Sequence, residues 1–326
     1  MRVLFTDLVA YKPYTCDTLR SEALGGTEAT VLRVARGLAQ RGHEVALFQG
    51  IDAGRSETTI DGILHVNAGS EIKPDAVVHL RTAQAVAGFR EHWPEARHLV
   101  WMHDLGGAWS RTEPVQGEEL VCVSDFHAKQ INEHLDEAPK AIHRIYNVVE
   151  VDGMRYPKVR GRLGFFSSPH KGLNQTIDAF FALSQSRPEL SLVIANPGYI
   201  PNGPGGSAIG ITNLGQLPHH RVMEEMSRCE VLFYPQTAVP ETFGLVLAEA
   251  NAMGTPVISH DHGAAMEVLM GANAGCNSVI QADDPAIIAH ALHESLNRGG
   301  KSAPALDPRF AIDAVIADWC NLLEGK

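Results

Sequence analysis

Several things are scarce in this sequence of 326 residues, and each scarcity removes a class of protein. The five cysteines, Cys16, Cys122, Cys229, Cys276 and Cys320, are odd in number and widely spaced, with no C-x-x-C pair. A disulfide framework and a cysteine-held zinc site are both disfavoured, and the thiols read as reduced. Positive charge is in deficit: 27 Lys and Arg stand against 38 Asp and Glu, a formal net charge of -11. Such a surface repels polyanions, which excludes nucleic acid as a main partner. No apolar run approaches the length of a membrane span. Met1-Arg2 leads into Val3-Leu4-Phe5 and reaches Asp7, too short for a signal peptide. A cytoplasmic chain is expected, in contact with the inner face of a membrane peripherally at most. Low-complexity tracts and internal repeats are missing too, and the lack of G-x-G-x-x-G disfavours a nicotinamide dehydrogenase.

What is present is globular: 44% of residues are hydrophobic and 20% charged. The length suits two cores better than one. Short apolar runs alternate with amphipathic stretches from end to end, the pattern of α/β domains with parallel sheets. In the first half the spacing predicts strands at 2–6, 44–49, 63–67, 76–80, 98–102, 120–123 and 143–146, and helices at 27–40, 82–92 and 124–133. After the irregular stretch "NVVEVDGMRYPKVRGR" the alternation restarts. Strands are predicted there at 163–167, 191–195, 211–214, 231–234 and 256–259, and helices at 173–186, 219–228, 243–253 and 285–297. The expected division is 1–152 with a final helix at about 308–326, and 153–307.

Ligands in such sheets bind beyond the carboxyl ends of the strands, where loops feed helix N-termini. Four stretches place unusual residues there. In "VPETFGLVLAEANAMGTPV" a buried strand runs into Pro240-Glu241, and a helix follows whose first N–H groups lie near Gly244, Leu245 and Val246. Those donors and the helix dipole favour an anion. Glu241 before them and Glu249 further along accept hydrogen bonds, which suits the hydroxyls of a sugar and a ribose. A capped core helix with one acid at its start explains the same spacing. In "FFSSPHKGLNQTIDAF" Lys171 stands at the mouth of a strand-to-helix loop, where it could pair with a departing diphosphate. In "LGGTEATVLRVARGLAQ" Gly25-Gly26 open a helix after the long loop 7–24, whose Tyr11, Lys12, Tyr14 and Arg20 could bind an acceptor. In "HLVWMHDLGG" His103-Asp104 close a strand. "SHDHG", with His260, Asp261 and His262, reads as a loop rather than a metal site.

Together with "VSDFHAKQI", "IYNVVE" and "LGQLPHHRVMEEMSRCEVLFYPQ", these stretches resemble the retaining glycosyltransferases of family 4, the glycosyl transferases group 1, over nearly the whole chain. The spacing of Glu241 and Glu249 around Phe243-Gly244 is the most specific part. The resemblance implies the GT-B fold, two Rossmann-like α/β domains facing across a cleft, with the C-terminal helix crossing back to the N-terminal domain. It implies a nucleoside-diphosphate sugar as donor, with UDP or GDP as carrier, and a sugar, lipid-linked sugar or small molecule as acceptor. No cofactor and no metal are expected. Glu241, His103 and Lys171 take the catalytic roles. Gly26, Lys171, Glu241, Phe243, Gly244, Leu245, Val246 and Glu249 hold the donor, and Gly215 to Leu217 lie near its base. The family commonly has an arginine six positions before the lysine, and here Phe165 occupies that place. Arg162 and His170 are nearby but do not match the motif. A sugar-nucleotide epimerase or a non-catalytic sugar-nucleotide-binding protein on the same fold are the alternatives, and the loop 196–207 would govern donor choice.

Overall fold

The structure, a computed structural model, describes residues 1–50, 56–83, 86–105, 117–135, 138–196, 209–298 and 303–326. The chain divides into two compact units. Unit 1 comprises Met1–Asp17, Thr27–Val148 and Ile312–Lys326, and unit 2 comprises Thr18–Gly26 and Val149–Ala311. The chain thus passes from one unit to the other at Val148 rather than at 152, and the short segment Thr18–Gly26 groups with unit 2.

Among the described residues unit 1 is built on an eight-stranded sheet. Its strands are β1 (Arg2–Asp7), β2 (Glu44–Gln49), β3 (Thr58–Ile60), β4 (Ile63–Val66), β5 (Ala76–Leu80), β6 (Arg97–Trp101), β7 (Glu119–Cys122) and β8 (Ala141–Arg144). Their order is β3-β4-β2-β1-β5-β6-β7-β8, parallel except for the β3–β4 hairpin. The central strands are apolar on both faces, and β5 and β7 are buried along their whole length. Helix α1 (Cys16–Ser21) passes from unit 1 into the unit 2 segment at Thr18, and α2 (Gly26–Gln40), α3 (Val86–His92) and α4 (Asp125–His134) follow, in unit 1 from Thr27 onward. Ser124 caps α4 by accepting from the His127 N–H at 2.9 Å.

Unit 2 carries a fully parallel sheet of β9 (Val159–Phe165), β10 (Ser191–Asn196), β11 (Ile211–Gln216), β12 (Cys229–Tyr234), β13 (Val257–His260) and β14 (Ser278–Ile280), ordered β11-β10-β9-β12-β13-β14. Its helices are α5 (Leu173–Ser184), α6 (His219–Arg228), α7 (Leu245–Ala252), α8 (Ala265–Leu269) and α9 (Pro285–Asn297).

The last helix, α10 (Ile312–Glu324), belongs to unit 1. Its Trp319 is fully buried, with ring centroids 4.7 Å from Trp101 and 6.3 Å from Phe5. Val315, Ile316 and Trp319 pack in unit 1, whereas Phe310 lies in unit 2 with its ring 5.0 Å from that of Phe243.

Candidate active site

Strand order shows where each unit can hold a ligand. A crevice opens where neighbouring parallel strands send their connections to opposite sides of the sheet. In unit 2 that point lies between β9 and β12, since β9 leads toward β10 and β12 toward β13. In unit 1 it lies between β1 and β5.

At the switch point of unit 2 the structure gathers several of the expected residues. Lys171, in the loop from β9 to α5, donates through Nζ to both oxygens of Glu241, at 3.0 Å to Oε1 and 2.8 Å to Oε2. Tyr234, the last residue of β12, donates its hydroxyl to the same Oε1 at 2.8 Å. With that proton committed, Ser167 Oγ is the donor in its 3.2 Å contact to the Tyr234 hydroxyl. The Glu241 side chain is 6% exposed and Lys171 24%, so the carboxylate is sheltered and the cation faces outward. Two residues assigned by sequence to different parts of a ligand therefore form one ion pair.

Backbone geometry holds that carboxylate in place. Gly263, after β13, forms a bridge with Glu241, and the Ala264 N–H donates to the Glu241 carbonyl at 2.8 Å. A Cβ at Gly263 would stand 2.3 Å from that carbonyl oxygen, and its φ of +73° also requires glycine. The stretch considered as a metal site is thus the backbone support of Glu241. Among the described residues no group of three or more His, Cys, Asp or Glu is placed to hold a metal ion.

Gly244 occupies the N-cap of α7 with φ +89° and ψ +57°, a left-handed conformation that turns the chain into the helix. The helix therefore begins at Leu245, two residues later than the apolar pattern suggested. Phe243 is 1% exposed and packs as a core side chain, so its backbone is the part available to a ligand. Leu245 and Val246 are the first residues of the helix, where a positive dipole end and N–H groups without intrahelical partners are found. Gly26 lies close by in the same unit: a Cβ there would meet Leu245 Cδ1 at 3.0 Å. The Thr18–Gly26 segment groups with unit 2.

Glu249, one turn further along α7, accepts from His219 Nε2 at 2.8 Å, and His219 Nδ1 lies 2.6 Å from Asp152 Oδ1. Gly215, near the end of β11, has φ +69°, and Leu217 follows that strand just before His219. Sequence reasoning missed Tyr234, Asp152 and His219. Tyr234 was hidden as the end of an apolar strand, and His219 as an ordinary polar residue at a helix start.

Phe165 is fully buried at the end of β9, its ring 5.4 Å from that of Tyr234. It supplies a wall for the tyrosine that reaches Glu241, where the resemblance called for a cation. Arg162 does not replace that cation, because its guanidinium is paired with Glu225. His170 accepts from or donates to Ser168 Oγ at 2.8 Å; burial and then the neighbouring Lys171 charge lower its pKa.

The switch point of unit 1 is organised differently. Arg81, with φ +63°, pairs with Glu28 of α2, and Tyr14 donates its hydroxyl to Asp7 Oδ2 at 2.8 Å. Burial raises the Asp7 pKa and, with the Asp7 charge, pushes the Tyr14 phenol well up. Burial alone would disfavour the Arg81 charge, but Glu28 and Asp7 outweigh it and keep the guanidinium protonated. Tyr14, expected as an acceptor contact, is 1% exposed and serves the loop instead. Its N–H donates to Gln49 Oε1 at 3.0 Å, and Gln49 Nε2 returns a bond to its carbonyl at 2.7 Å. Tyr11 in the same loop is 52% exposed. His103 follows β6, its ring 4.8 Å from Trp101. Burial, then the charges of Arg81 and His127, hold it well below the usual histidine pKa, so it is a neutral imidazole. A separate cavity of about 420 Å³ in unit 1, lined by Leu4, Phe48, Val66, Phe89 and Trp93 with Asn67, Ser70 and His92 among its polar residues, holds none of the residues described above. The donor-choice loop 196–207 lies outside the described residues beyond Asn196.

Two α/β units, each with a largely parallel sheet and its polar residues beyond the strand ends, define the GT-B class of fold, and solved structures agree. Sucrose-phosphate synthase from Thermosynechococcus elongatus superposes with a TM-score of 0.72 over 99% of this chain and 98% of that one, at 13% identity. HepE from Anabaena, solved in complex with UDP-glucose, superposes with a TM-score of 0.70 over 100% of both chains, at 15% identity. At such identities the likeness concerns the fold. Residues 167–304, within unit 2, match the family described as glycosyl transferases group 1. The phosphatidyl-myo-inositol mannosyltransferase of Mycobacterium leprae (strain TN) is 32% identical over 133 residues, 40% of this chain and 35% of that protein. The protein of the same name from Propionibacterium freudenreichii is 29% identical over 143 residues, 44% of this chain and 32% of that protein. The chain spans about a third of the length of the curated relatives it matches.

Proposed function

We propose that the chain is a retaining glycosyltransferase that moves a sugar from a nucleoside-diphosphate sugar to a hydroxyl acceptor without a metal ion. The observation that carries this reading is the cluster at the β9/β12 switch point, within the matched segment. There Lys171, Glu241 and the N-terminus of α7 converge, with Glu249 further along the helix. A cation and a helix N-terminus suit a diphosphate, and carboxylates suit the hydroxyls on either side of it.

In the proposed step the acceptor oxygen bonds to the anomeric carbon on the face from which the diphosphate departs. The bond from that carbon to the phosphate oxygen breaks, and the acceptor proton passes to the departing phosphate. Negative charge grows on the phosphate, where Lys171 and the first N–H groups of α7 stabilise it. Glu241 orients the sugar through its hydroxyls, held by Tyr234 when Lys171 turns to the phosphate. His103, in unit 1, is a neutral ring that can accept or donate one hydrogen bond, which fits the catalytic role the resemblance gives it.

The relatives' names favour mannosyl transfer to phosphatidyl-myo-inositol as one starting point, and the HepE complex favours a UDP-glucose donor as another. Release of nucleoside diphosphate from a panel of UDP-, GDP- and ADP-sugars tests the reading, with Glu241→Ala and Lys171→Ala as controls. Release by the wild type and its loss in both variants is expected. Binding without any turnover would instead support a sugar-nucleotide-binding protein, the reading that Phe165 in place of an arginine favours.

A further inference from the structure

We propose that His219 is a positioning residue for the nucleotide: bridging Asp152 and Glu249, it fixes the Glu249 carboxylate in the orientation that accepts the ribose hydroxyls. This rests on the donor-site reading above and adds to it a residue that acts through Glu249.

Both ring nitrogens of His219 face carboxylate oxygens, Nδ1 at 2.6 Å from Asp152 Oδ1 and Nε2 at 2.8 Å from Glu249 Oε1. A neutral imidazole carries one N–H, so one of these contacts would press a nitrogen lone pair against an oxygen lone pair. The doubly protonated ring donates on both sides and satisfies both contacts. Imidazole also suits the task by shape, since its two donors lie on opposite edges of a rigid ring, and one side chain can tie two carboxylates together.

The location argues against a mere helix-start residue. His219 is the first residue of α6, after Pro218 at the N-cap. A cation at a helix N-terminus opposes the dipole, so helix formation does not favour a charged histidine there. The two carboxylates compensate, and both come from outside α6: Asp152 from the segment entering unit 2, Glu249 from α7. The bridge is graded in exposure. Glu249 is 11% exposed at its side chain, His219 16% and Asp152 42%. The sheltered end is the carboxylate assigned to ribose, and it is pinned from the open end. His219 also offsets one of two negative charges beside a site that must accept an anionic nucleotide, which an unbridged Glu249 and Asp152 would repel.

The test is a binding cycle read by calorimetry. Its ligands are the diphosphate of uridine, guanosine or adenosine that the wild type binds most tightly, and the 2′,3′-dideoxy form of the same nucleotide. The proteins are the wild type, His219→Ala, His219→Gln and Asp152→Asn, with melting temperatures confirming that each variant folds. The wild type should prefer the ribose form by about tenfold or more, the size expected for bonds to a charged acceptor. His219→Ala should weaken the ribose form by about tenfold and the dideoxy form by less than about threefold, so that the preference collapses. His219→Gln, which keeps one donor toward Glu249, should recover part of the preference, and Asp152→Asn should lose less than His219→Ala. Donor KM should rise more than kcat falls.

Equal weakening of both nucleotides in His219→Ala would mean a structural role only and would overturn the proposal. Unchanged binding in that variant would overturn it too. A wild type that binds the nucleotide but does not distinguish the dideoxy form removes the ribose role of Glu249, and the proposal with it. A wild type that binds no nucleoside diphosphate overturns the donor-site reading itself.

Discussion

The two switch points hold nearly the same side chains and put them to opposite uses. In unit 2 the Lys171–Glu241 pair, steadied by Tyr234, leaves its cation 24% exposed and able to exchange partners. In unit 1 the Arg81–Glu28 pair is about as exposed, 19% at the cation, but Asp7 stands beside it and the two carboxylates together keep the Arg81 charge in place. A lysine on a flexible stem with one carboxylate partner is built to change partner, whereas a planar guanidinium held by two carboxylates is built to keep them. Position at a strand end therefore does not by itself make a residue functional; the two cations are similarly exposed, and what separates them is the number of carboxylates that hold each one.

Arg81→Ala is expected to have the largest effect, because it leaves Glu28 and Asp7 buried without their cation. Unfolding free energy should fall by about 3–5 kcal/mol, read by denaturant titration. A change below about 1 kcal/mol would break the comparison by showing that the pair is not structural. Lys171→Met should lower transfer by about 10²–10³-fold while shifting the melting temperature far less than Arg81→Ala does, read by kcat/KM and calorimetry. Comparable loss of stability in both variants would erase the distinction between the sites.

Acid should act on unit 1 through its neutral histidines. The His79 ring accepts from Thr6 and donates to His98, which donates to the Trp93 carbonyl, and the His127 ring donates to the Asp104 carbonyl. Burial, with the neighbouring histidine, takes His79 down to about 3, and burial takes His127 to about 4; His103 is also held low. The unfolded chain takes up protons at these positions below about pH 6.5 while the folded chain does not, so stability falls as pH falls from there toward about 4. Each such group contributes up to about 1.4 kcal/mol per pH unit in that window. A melting temperature independent of pH between 6.5 and 4.5 would contradict this. The smallest effect is expected from Tyr14→Phe, which removes one donor from buried Asp7 and should cost about 1–3 kcal/mol with little change in transfer. A large loss of transfer there would place Tyr14 in the acceptor site after all.

The same contrast explains what could be read from the sequence. Long amphipathic runs gave the main helices nearly in place: α2 was expected at 27–40 and spans Gly26–Gln40. Short elements escaped, since the three-residue strands Thr58–Ile60 and Ser278–Ile280 carry too few positions for a period to show. Helix α7 was placed two residues early because Phe243 continues the apolar pattern, whereas Gly244 sets the backbone turn that begins the helix. In the candidate site, Lys171 and Glu241 stood out in the sequence because loop position and residue type coincide, and Glu249, inside α7, only through its spacing from Glu241. Tyr234 and His219 were not, because their roles come from partners 7 and 30 residues away in sequence. Tyr14 was misread for a related reason: its pairing with Gln49 across 35 residues turns a candidate ligand contact into a loop anchor.

The central claim is that unit 2 activates a nucleoside-diphosphate sugar for transfer with retention, and the anomeric configuration of the product tests it most directly. With an α-linked donor that the protein turns over, NMR of the first product formed should show an α linkage. A β-linked product would contradict the account.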